Sequence, residues 1–133
     1  MYVFDTNAVS ALMKGSAAVV ERLAAIAPAD VALPQPVLAE IAFGIERLPR
    51  SKRRAALQAR FDLISTELSR AEWTDAVSLV FGRIKATLER RGTRIEDFDA
   101  AIAAHALALD ATLVTANVDH MIRVPGLRVE DWS

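Results

Sequence analysis

Short apolar segments that alternate with longer helical patterns are the feature that most restricts the fold of this chain. Tyr2–Phe4, Val31–Leu33 and Thr112–Thr115 are β-prone runs, and the stretches between them carry apolar residues at helical spacing. Strands that alternate with helices in this way are typical of a mainly parallel sheet covered by helices. The pattern therefore predicts an α/β fold.

Capping residues and apolar spacing place the helices. We expect helices on either side of Gly15-Ser16, from Pro36 through Leu48, from Ser51 onward, and from Ala100 to Leu109 after the opening Asp97-Phe98-Asp99.

Three weaker patterns complete the prediction. Leu63-Ile64 is a brief strand candidate, and Leu127–Val129 is a candidate edge strand. Ser69 and Glu72 match a capping box, which predicts that a long helix begins there and runs toward Arg91.

Length and composition indicate one soluble domain that spans residues 1–133. The chain has 53% hydrophobic and 25% charged residues, no cysteine and a net charge of −1. It begins without a signal-peptide pattern and has no apolar run of membrane-spanning length. We therefore expect a cytoplasmic protein without disulfides or a membrane association, in which any contact with nucleic acid comes from a local basic patch.

Polar residues follow the predicted strands. Asp5 comes directly after the first strand and Thr115-Ala116-Asn117 after a later one, while Asp99 lies in the first turn of its helix. Ligands of parallel α/β sheets gather beyond the carboxyl ends of the strands, so we expect these residues to converge. Glu40 borders the apolar stripe of its own helix, where a carboxylate needs a partner.

A divalent cation would relieve the repulsion among these carboxylates. Oxygen ligands without cysteine, in a chain with only two histidines, favour Mg²⁺ or Mn²⁺ over Zn²⁺. Such an ion activates water for attack on a phosphodiester. The carboxylates thus predict metal-dependent phosphodiester hydrolysis.

At these residues the chain resembles the PIN-domain ribonucleases, in particular the VapC-type toxins of bacterial toxin–antitoxin pairs. The resemblance spans nearly the whole chain. Its segments are Val3–Asn7, Pro36–Ile45, Asp99–Ala106, Leu113–Asn117 and Pro125–Trp132. It implies a PIN-like α/β/α sandwich with a small, mainly parallel sheet of four or five short strands.

The resemblance also implies roles for individual residues. Asp5, Glu40 and Asp99 take the places of the metal-binding acids of the family, and Asn7 and Thr115 take those of supporting polar residues. Where family members often carry a further aspartate, this chain has Asn117, which we assign to the catalytic set as a neutral oxygen ligand. Asp119 is the alternative for that fourth position, and the choice leaves one or two bound metals open.

The function implied is an Mg²⁺- or Mn²⁺-dependent endoribonuclease toxin. Its expected partners are an RNA substrate, a second copy of the chain in a homodimer, and a cognate antitoxin whose C-terminal segment lies along an apolar groove and blocks the site.

Two other functions stay open from the sequence. One is a non-catalytic RNA-binding or interaction module of the same fold, which Asn117 would allow. The other is a haloacid-dehalogenase-type phosphohydrolase, but the second acid of that family would fall at Asn7.

Simpler structural roles are also possible for several residues. Asp5 and Asp97 could be helix caps, and Glu40 could pair with Arg47. His105 is expected to pack within its helix, His120 has no assigned role, and the aromatic residues Trp73, Phe81 and Trp132 are expected in the core or in a dimer interface. Two basic groups are candidate RNA contacts, namely Arg47, Arg50, Lys52, Arg53 and Arg54, and secondly Arg83, Lys85, Arg90, Arg91 and Arg94.

Overall fold

A single five-stranded sheet forms the centre of the molecule. The computed structural model describes residues 1–133. The strands are β1 (Tyr2–Phe4), β2 (Val31–Pro34), β3 (Ser69–Ala71), β4 (Thr112–Val114) and β5 (Arg128–Glu130). Their order in the sheet is β3-β2-β1-β4-β5, and every pairing is parallel. The predicted α/β fold with four or five parallel strands is confirmed.

Seven helices connect and cover the strands. They are α1 (Thr6–Met13), α2 (Ala17–Ala24), α3 (Gln35–Glu46), α4 (Lys52–Glu67), α5 (Asp75–Arg90), α6 (Asp97–Ala108) and α7 (Val118–Met121). The break near Gly15-Ser16 and the proline at the start of α3 lie where the sequence predicts them. None of the helices combines the length and the apolarity needed to cross a membrane.

Strands β1 and β4 are neighbours in the sheet and end at the same level. Phe4 of β1 pairs with Val114 of β4, so the residues that follow, Asp5 and Thr115, emerge side by side. Phe4 and Val114 are fully buried, as expected for strands covered on both faces. The alanine-rich helix α6 packs beneath this edge and is buried from Ala100 to Ala106. The core thus fixes the backbone on which the candidate site stands.

Two local predictions in the middle of the chain are wrong. Leu63-Ile64 is not a strand but lies inside α4, and Ser69–Ala71 is strand β3 rather than a helix start. Helix α5 begins only at Asp75, where the Thr74 side chain accepts a hydrogen bond from Val77 N–H at 3.3 Å. The parallel pairing of β3 with β2 outweighs the local capping pattern, because ladder hydrogen bonds satisfy the backbone just as a cap would.

The start of α6 also differs from the prediction. The helix begins at Asp97, three residues before the predicted Ala100, and Glu96 is its N-cap residue. Asp97 is therefore not a cap, and its carboxylate instead pairs with Lys85 at 3.1 Å. Asp99 still lies in the first turn, as predicted. The predicted edge strand is present one residue later, as β5.

Candidate active site

Asp5 lies at the carboxyl end of β1, where it caps helix α1. Its carboxylate accepts a hydrogen bond from Ala8 N–H at 2.8 Å, and further hydrogen bonds come from the Thr115 hydroxyl and from Asn7 N–H. Burial raises the pKa of Asp5 more than these three donors lower it, and the nearby Glu40 charge raises it further. Asp5 is thus both a helix cap and a buried carboxylate whose charge is costly to keep.

Thr115 links the end of β4 to Asp5. While its hydroxyl hydrogen-bonds to the Asp5 carboxylate, its Oγ1 accepts from Asn117 N–H at 2.9 Å. Thr115 is almost fully buried, so this geometry is fixed by the core. Asn7 contributes through its backbone, and its side chain is exposed. Both residues that the resemblance assigns to support therefore contact Asp5.

Glu40 reaches the site from helix α3. The Thr6 hydroxyl donates to its Oε1 at 2.5 Å, which ties the glutamate to the first residue of α1. Arg47, which could have been its partner, lies instead over the Phe43 ring, 5.8 Å from the centroid. Glu40 has no ion pair with any lysine or arginine.

Asp99 approaches from the first turn of α6. Partial burial is the main reason why its pKa is raised, and the charges of Glu40 and Asp5 raise it further. The fold therefore brings Asp5, Glu40 and Asp99, which we call the acidic rim, close enough together for their charges to interact. The sequence predicts this convergence.

At the predicted fourth position, Asn117 lies at the N-terminus of α7. The Asn117 side-chain oxygen contacts His120 Nδ1 at 2.7 Å, so it already has a partner. Asp119 is exposed on α7. The additional carboxylate that raises the pKa of Asp99 is Glu96, which the sequence reasoning missed. Its position three residues before Asp99, at the start of α6, was the available signal.

The chemistry of the acidic rim fits a hard divalent cation. None of its three carboxylates pairs with a lysine or arginine, although the charge of His120 lowers the pKa of Asp99. Hydrogen-bond donors hold Asp5 and Glu40 and leave other oxygen lone pairs free. No three histidine, aspartate or glutamate side chains, those of the acidic rim included, lie close enough together to hold a metal ion by themselves. This agrees with Mg²⁺ chemistry, which commonly uses one or two carboxylates together with waters and substrate phosphates.

Two depressions of different character adjoin the acidic rim. On the Glu40 side, a groove of about 280 Å³ is lined by Lys14, Arg47 and Arg53, and we call it the basic groove. On the Asp99 side, a pocket of about 380 Å³ is lined by Arg94, Ile95, Glu96, Asp99 and His120, and we call it the polar pocket. Lys14 was not among the predicted basic residues. Its contribution depends on the packing of α1 beside α3.

A third depression is mainly apolar. It has a volume of about 430 Å³ and lies between α1, α2 and α4. We call it the apolar groove; its apolar lining residues are Leu12, Met13, Leu23, Leu63, Ile64 and Leu68. Met13 and Lys14 line both this groove and the basic groove, so the two adjoin.

A known protein family and several known proteins match this chain. The family model described as "PIN domain" matches residues 2–127. The chain belongs to the PIN-domain family. It is 31% identical to Ribonuclease VapC2 of Rickettsia felis over all of this chain and 98% of that protein. It is also 29% identical to the tRNA(fMet)-specific endonuclease VapC of Shigella flexneri, over 99% of this chain and 98% of the relative.

The fold of this PIN domain agrees with solved structures. The crystal structure of VapBC2 from Rickettsia felis bound to a promoter DNA fragment contains a chain that matches with a TM-score of 0.90. The match covers 99% of this chain and 98% of that one, at 29% identity. The resemblance to VapC-type PIN domains, predicted from the sequence, is confirmed.

Proposed function

We propose that this PIN domain is a metal-dependent endoribonuclease and the toxin of a toxin–antitoxin pair. The main support is the acidic rim, in which the charge of Glu40 raises the pKa of the buried Asp5 and of the half-buried Asp99, and no carboxylate pairs with a lysine or arginine. Proteins tolerate such a cost chiefly at functional sites. The names of the relatives, ribonuclease and endonuclease, support RNA as the substrate class.

Each residue of the acidic rim has a definable task in this reaction. Asp5, Glu40 and Asp99 would hold Mg²⁺ or Mn²⁺. Such a cation, when bound, supplies Lewis-acid activation of water and neutralises charge on the phosphodiester. Three donors orient Asp5, and Thr6 orients Glu40. Asn117 acts in this account by positioning Thr115 through its N–H and His120 through its side chain.

The basic groove supplies a path for the RNA backbone toward Glu40. Lys14, Arg47 and Arg53 form no ion pair, so their charges are available for phosphates, whereas Arg54 pairs with Glu46 at 2.9 Å. Each phosphate contact contributes about 0.7 to the slope of log K against log salt for a single strand.

A binding experiment tests this path. The variant Arg53→Ala should reduce the salt slope of single-stranded RNA binding by about 0.7, whereas Lys52→Ala, an exposed neighbour that does not line the groove, should not. An unchanged slope in Arg53→Ala would remove the basic groove from the proposal.

The apolar groove is the proposed binding site of the antitoxin. The Rickettsia felis structure is a VapBC complex, which supports a protein partner of this kind. Leu63 is 59% exposed in the groove, so an apolar segment can cover it. Because the groove adjoins the basic groove at Met13 and Lys14, a bound segment that extends past these residues would also obstruct the RNA path.

Leu63→Glu tests the antitoxin site. We expect this variant to bind the co-expressed antitoxin at least tenfold more weakly and to resist its inhibition, while RNA cleavage by the free toxin is unchanged. Normal inhibition of Leu63→Glu would place the antitoxin elsewhere.

We further propose a homodimer in the cytoplasm. Helix α5 exposes Leu79 at 72%, which is apolar surface that a second copy of the chain could cover, and Phe43 and Phe98 are also exposed. In light scattering, the native chain should have twice the mass of one chain and Leu79→Lys should be monomeric. A monomeric native chain would contradict the dimer.

Cleavage of RNA by the purified protein tests the main proposal. With Mn²⁺ or Mg²⁺ we expect the native chain to cut single-stranded RNA and Asp5→Asn to lose at least a hundredfold in rate. Asparagine can still cap α1, so the fold is kept. Binding without cleavage would favour the non-catalytic alternative, and equal cleavage by both proteins, or cleavage in excess chelator, would contradict the mechanism.

A further inference from the structure

The polar pocket differs from the basic groove in having a ring, a carboxylate and a guanidinium in one place. His120, Glu96 and Arg94 all line it, beside Asp99 of the acidic rim. Its volume of about 380 Å³ lies within the range of small-molecule sites, about 300–1,000 Å³, and can accommodate one nucleotide. The basic groove, in contrast, combines three cations and the Glu40 carboxylate with hydroxyl and apolar side chains and has no aromatic ring.

Hydrogen bonds fix the two walls of the polar pocket. On one wall, His120 Nδ1 contacts the Asn117 side-chain oxygen at 2.7 Å, which sets the ring orientation and leaves the ring face and Nε2 free. On the other wall, Arg123 Nη1 donates to the Arg94 carbonyl oxygen at 2.9 Å. Arg123 lies two residues after the end of α7, so this bond ties the loop before α6 to the segment that carries His120.

Glu96 is free to contact a ligand in this pocket. It is the N-cap residue of α6, and its carboxylate accepts no hydrogen bond from the N–H groups of the helix. It has no ion pair either, and neither has Arg94. Its charge raises the pKa of Asp99, which places it near the acidic rim.

We propose that the polar pocket receives the unpaired base next to the scissile phosphate and that it selects guanine. This inference rests on the proposed ribonuclease function. Guanine presents two adjacent N–H donors that match one carboxylate, here Glu96. It also presents the O6 and N7 acceptors, which arginine recognises, here Arg94. The face of His120 supplies a stacking surface, as aromatic side chains do in recognition of single-stranded RNA.

The other bases match the pocket less well. Adenine, cytosine and uracil each lack the pair of adjacent donors on the Watson–Crick edge that Glu96 would accept. A correct polar contact discriminates by about tenfold or more. The nucleotide preference of the enzyme should therefore depend on Glu96, and the affinity for any stacked base on His120.

Cleavage of short single-stranded RNAs with each of the four bases on either side of a single cut site tests the proposal. The native chain should prefer guanine at one flanking position by about tenfold in kcat/KM. Glu96→Gln should bring the four bases within about twofold, mainly by slowing the guanine substrate. The matched control Glu89→Gln, an exposed glutamate on α5, should keep the full preference.

Substitutions of His120 provide an independent test of the polar pocket. His120→Ala should raise KM for every flanking base, and His120→Phe, which keeps an aromatic face, should restore it. Absence of a guanine preference in the native chain, or an unchanged preference in Glu96→Gln, would overturn the proposal.

Failure of the pocket and failure of the ribonuclease function can be told apart. Binding of the same RNAs is measured with Asp5→Asn and with Asp5→Asn combined with Glu96→Gln, so that no cleavage is needed. A guanine preference that is present in the first protein and lost in the second supports the pocket even if the native chain does not cut RNA. Equal binding of all four bases by Asp5→Asn contradicts the pocket whether or not the native chain is a nuclease.

Discussion

Asp5 and His105 are both buried polar side chains, yet their surroundings differ. Asp5, at 4% exposure, has three hydrogen-bond donors and neighbouring carboxylates, and its pKa is raised. His105 is completely buried in α6, where Nδ1 donates to the Ala101 carbonyl at 2.8 Å and Nε2 has no partner. Burial lowers the pKa of His105.

This difference distinguishes the candidate active site from the hydrophobic core. The core keeps its one histidine neutral and encloses it with apolar groups, including the edge of Trp73 at 5.4 Å between ring centroids. The acidic rim instead gathers three acids, and the charge of Glu40 raises the pKa of both Asp5 and Asp99. Apolar packing in the core stabilises the folded chain, whereas the burial of charged carboxylates in the acidic rim destabilises it. Substitutions in the two regions should therefore have opposite effects.

The largest effect on stability is expected in the core. Leu88 of α5 is 1% exposed, and Leu88→Ala should lower the free energy of unfolding by about 3 kcal/mol, because it removes buried apolar surface and leaves a cavity. Urea denaturation measures this. The control Leu63→Ala, at an exposed leucine, should stay within about 0.5 kcal/mol. Equal losses of unfolding free energy in Leu88→Ala and Leu63→Ala would contradict the expectation that buried apolar residues contribute most of the stability.

A substitution in the acidic rim should act in the opposite direction. In metal-free buffer at pH 7, Asp99→Asn should raise the free energy of unfolding by about 0.5–1 kcal/mol, the usual gain from relieving a functional strain. The raised pKa means that ionisation of Asp99 opposes folding, so its cost is present at neutral pH and disappears as the pH falls through the folded-state pKa. Loss of a favourable charge at the N-terminus of α6 limits the gain.

Asp97→Asn is the matched control for this prediction. Asp97 lies two residues earlier in the same helix and pairs with Lys85 at the surface. Its substitution should leave stability unchanged or lower it by a few tenths of a kcal/mol. A loss of stability in Asp99→Asn as large as in the control would remove the claim that the rim is strained.

The smallest effect concerns the pH dependence from His105. Its folded-state pKa is lowered, so the unfolded chain binds the proton more readily, and stability present above about pH 6.5 is lost as the pH falls below that value. Between pH 7 and pH 6, the native chain should lose up to about 0.7 kcal/mol relative to His105→Gln. Parallel pH curves for the two proteins would contradict a neutral buried histidine.

The parts of the molecule predicted from the sequence are those with local signals. Asp5 and Thr115 follow central strands whose apolar runs are continuous, so the sheet edge at which they meet was predictable. Strand β3 was not, because Ser69–Ala71 is polar, short and stabilised by pairing with β2 rather than by its own sequence.

The same distinction holds within the candidate site. The acidic rim followed from the resemblance and from helix position. Lys14 joins the site only through the packing of neighbouring segments, and the one sequence signal for Glu96 is its position three residues before Asp99. The side-chain contact between Asn117 and His120 also required coordinates, since a sequence does not show which of several polar neighbours an amide will choose.

We propose that burial and mutual proximity of the carboxylates destabilise the metal-free acidic rim, and that a cation bound for RNA cleavage relieves this cost. The most direct test is the unfolding free energy of the native chain and of Asp99→Asn, each titrated with Mn²⁺. At a concentration one hundred times its Kd, Mn²⁺ should stabilise the native chain by about 2.7 kcal/mol, and it should stabilise Asp99→Asn far less, so that the order of the two stabilities reverses. Equal stabilisation of both proteins, or none of the native chain, would contradict the account.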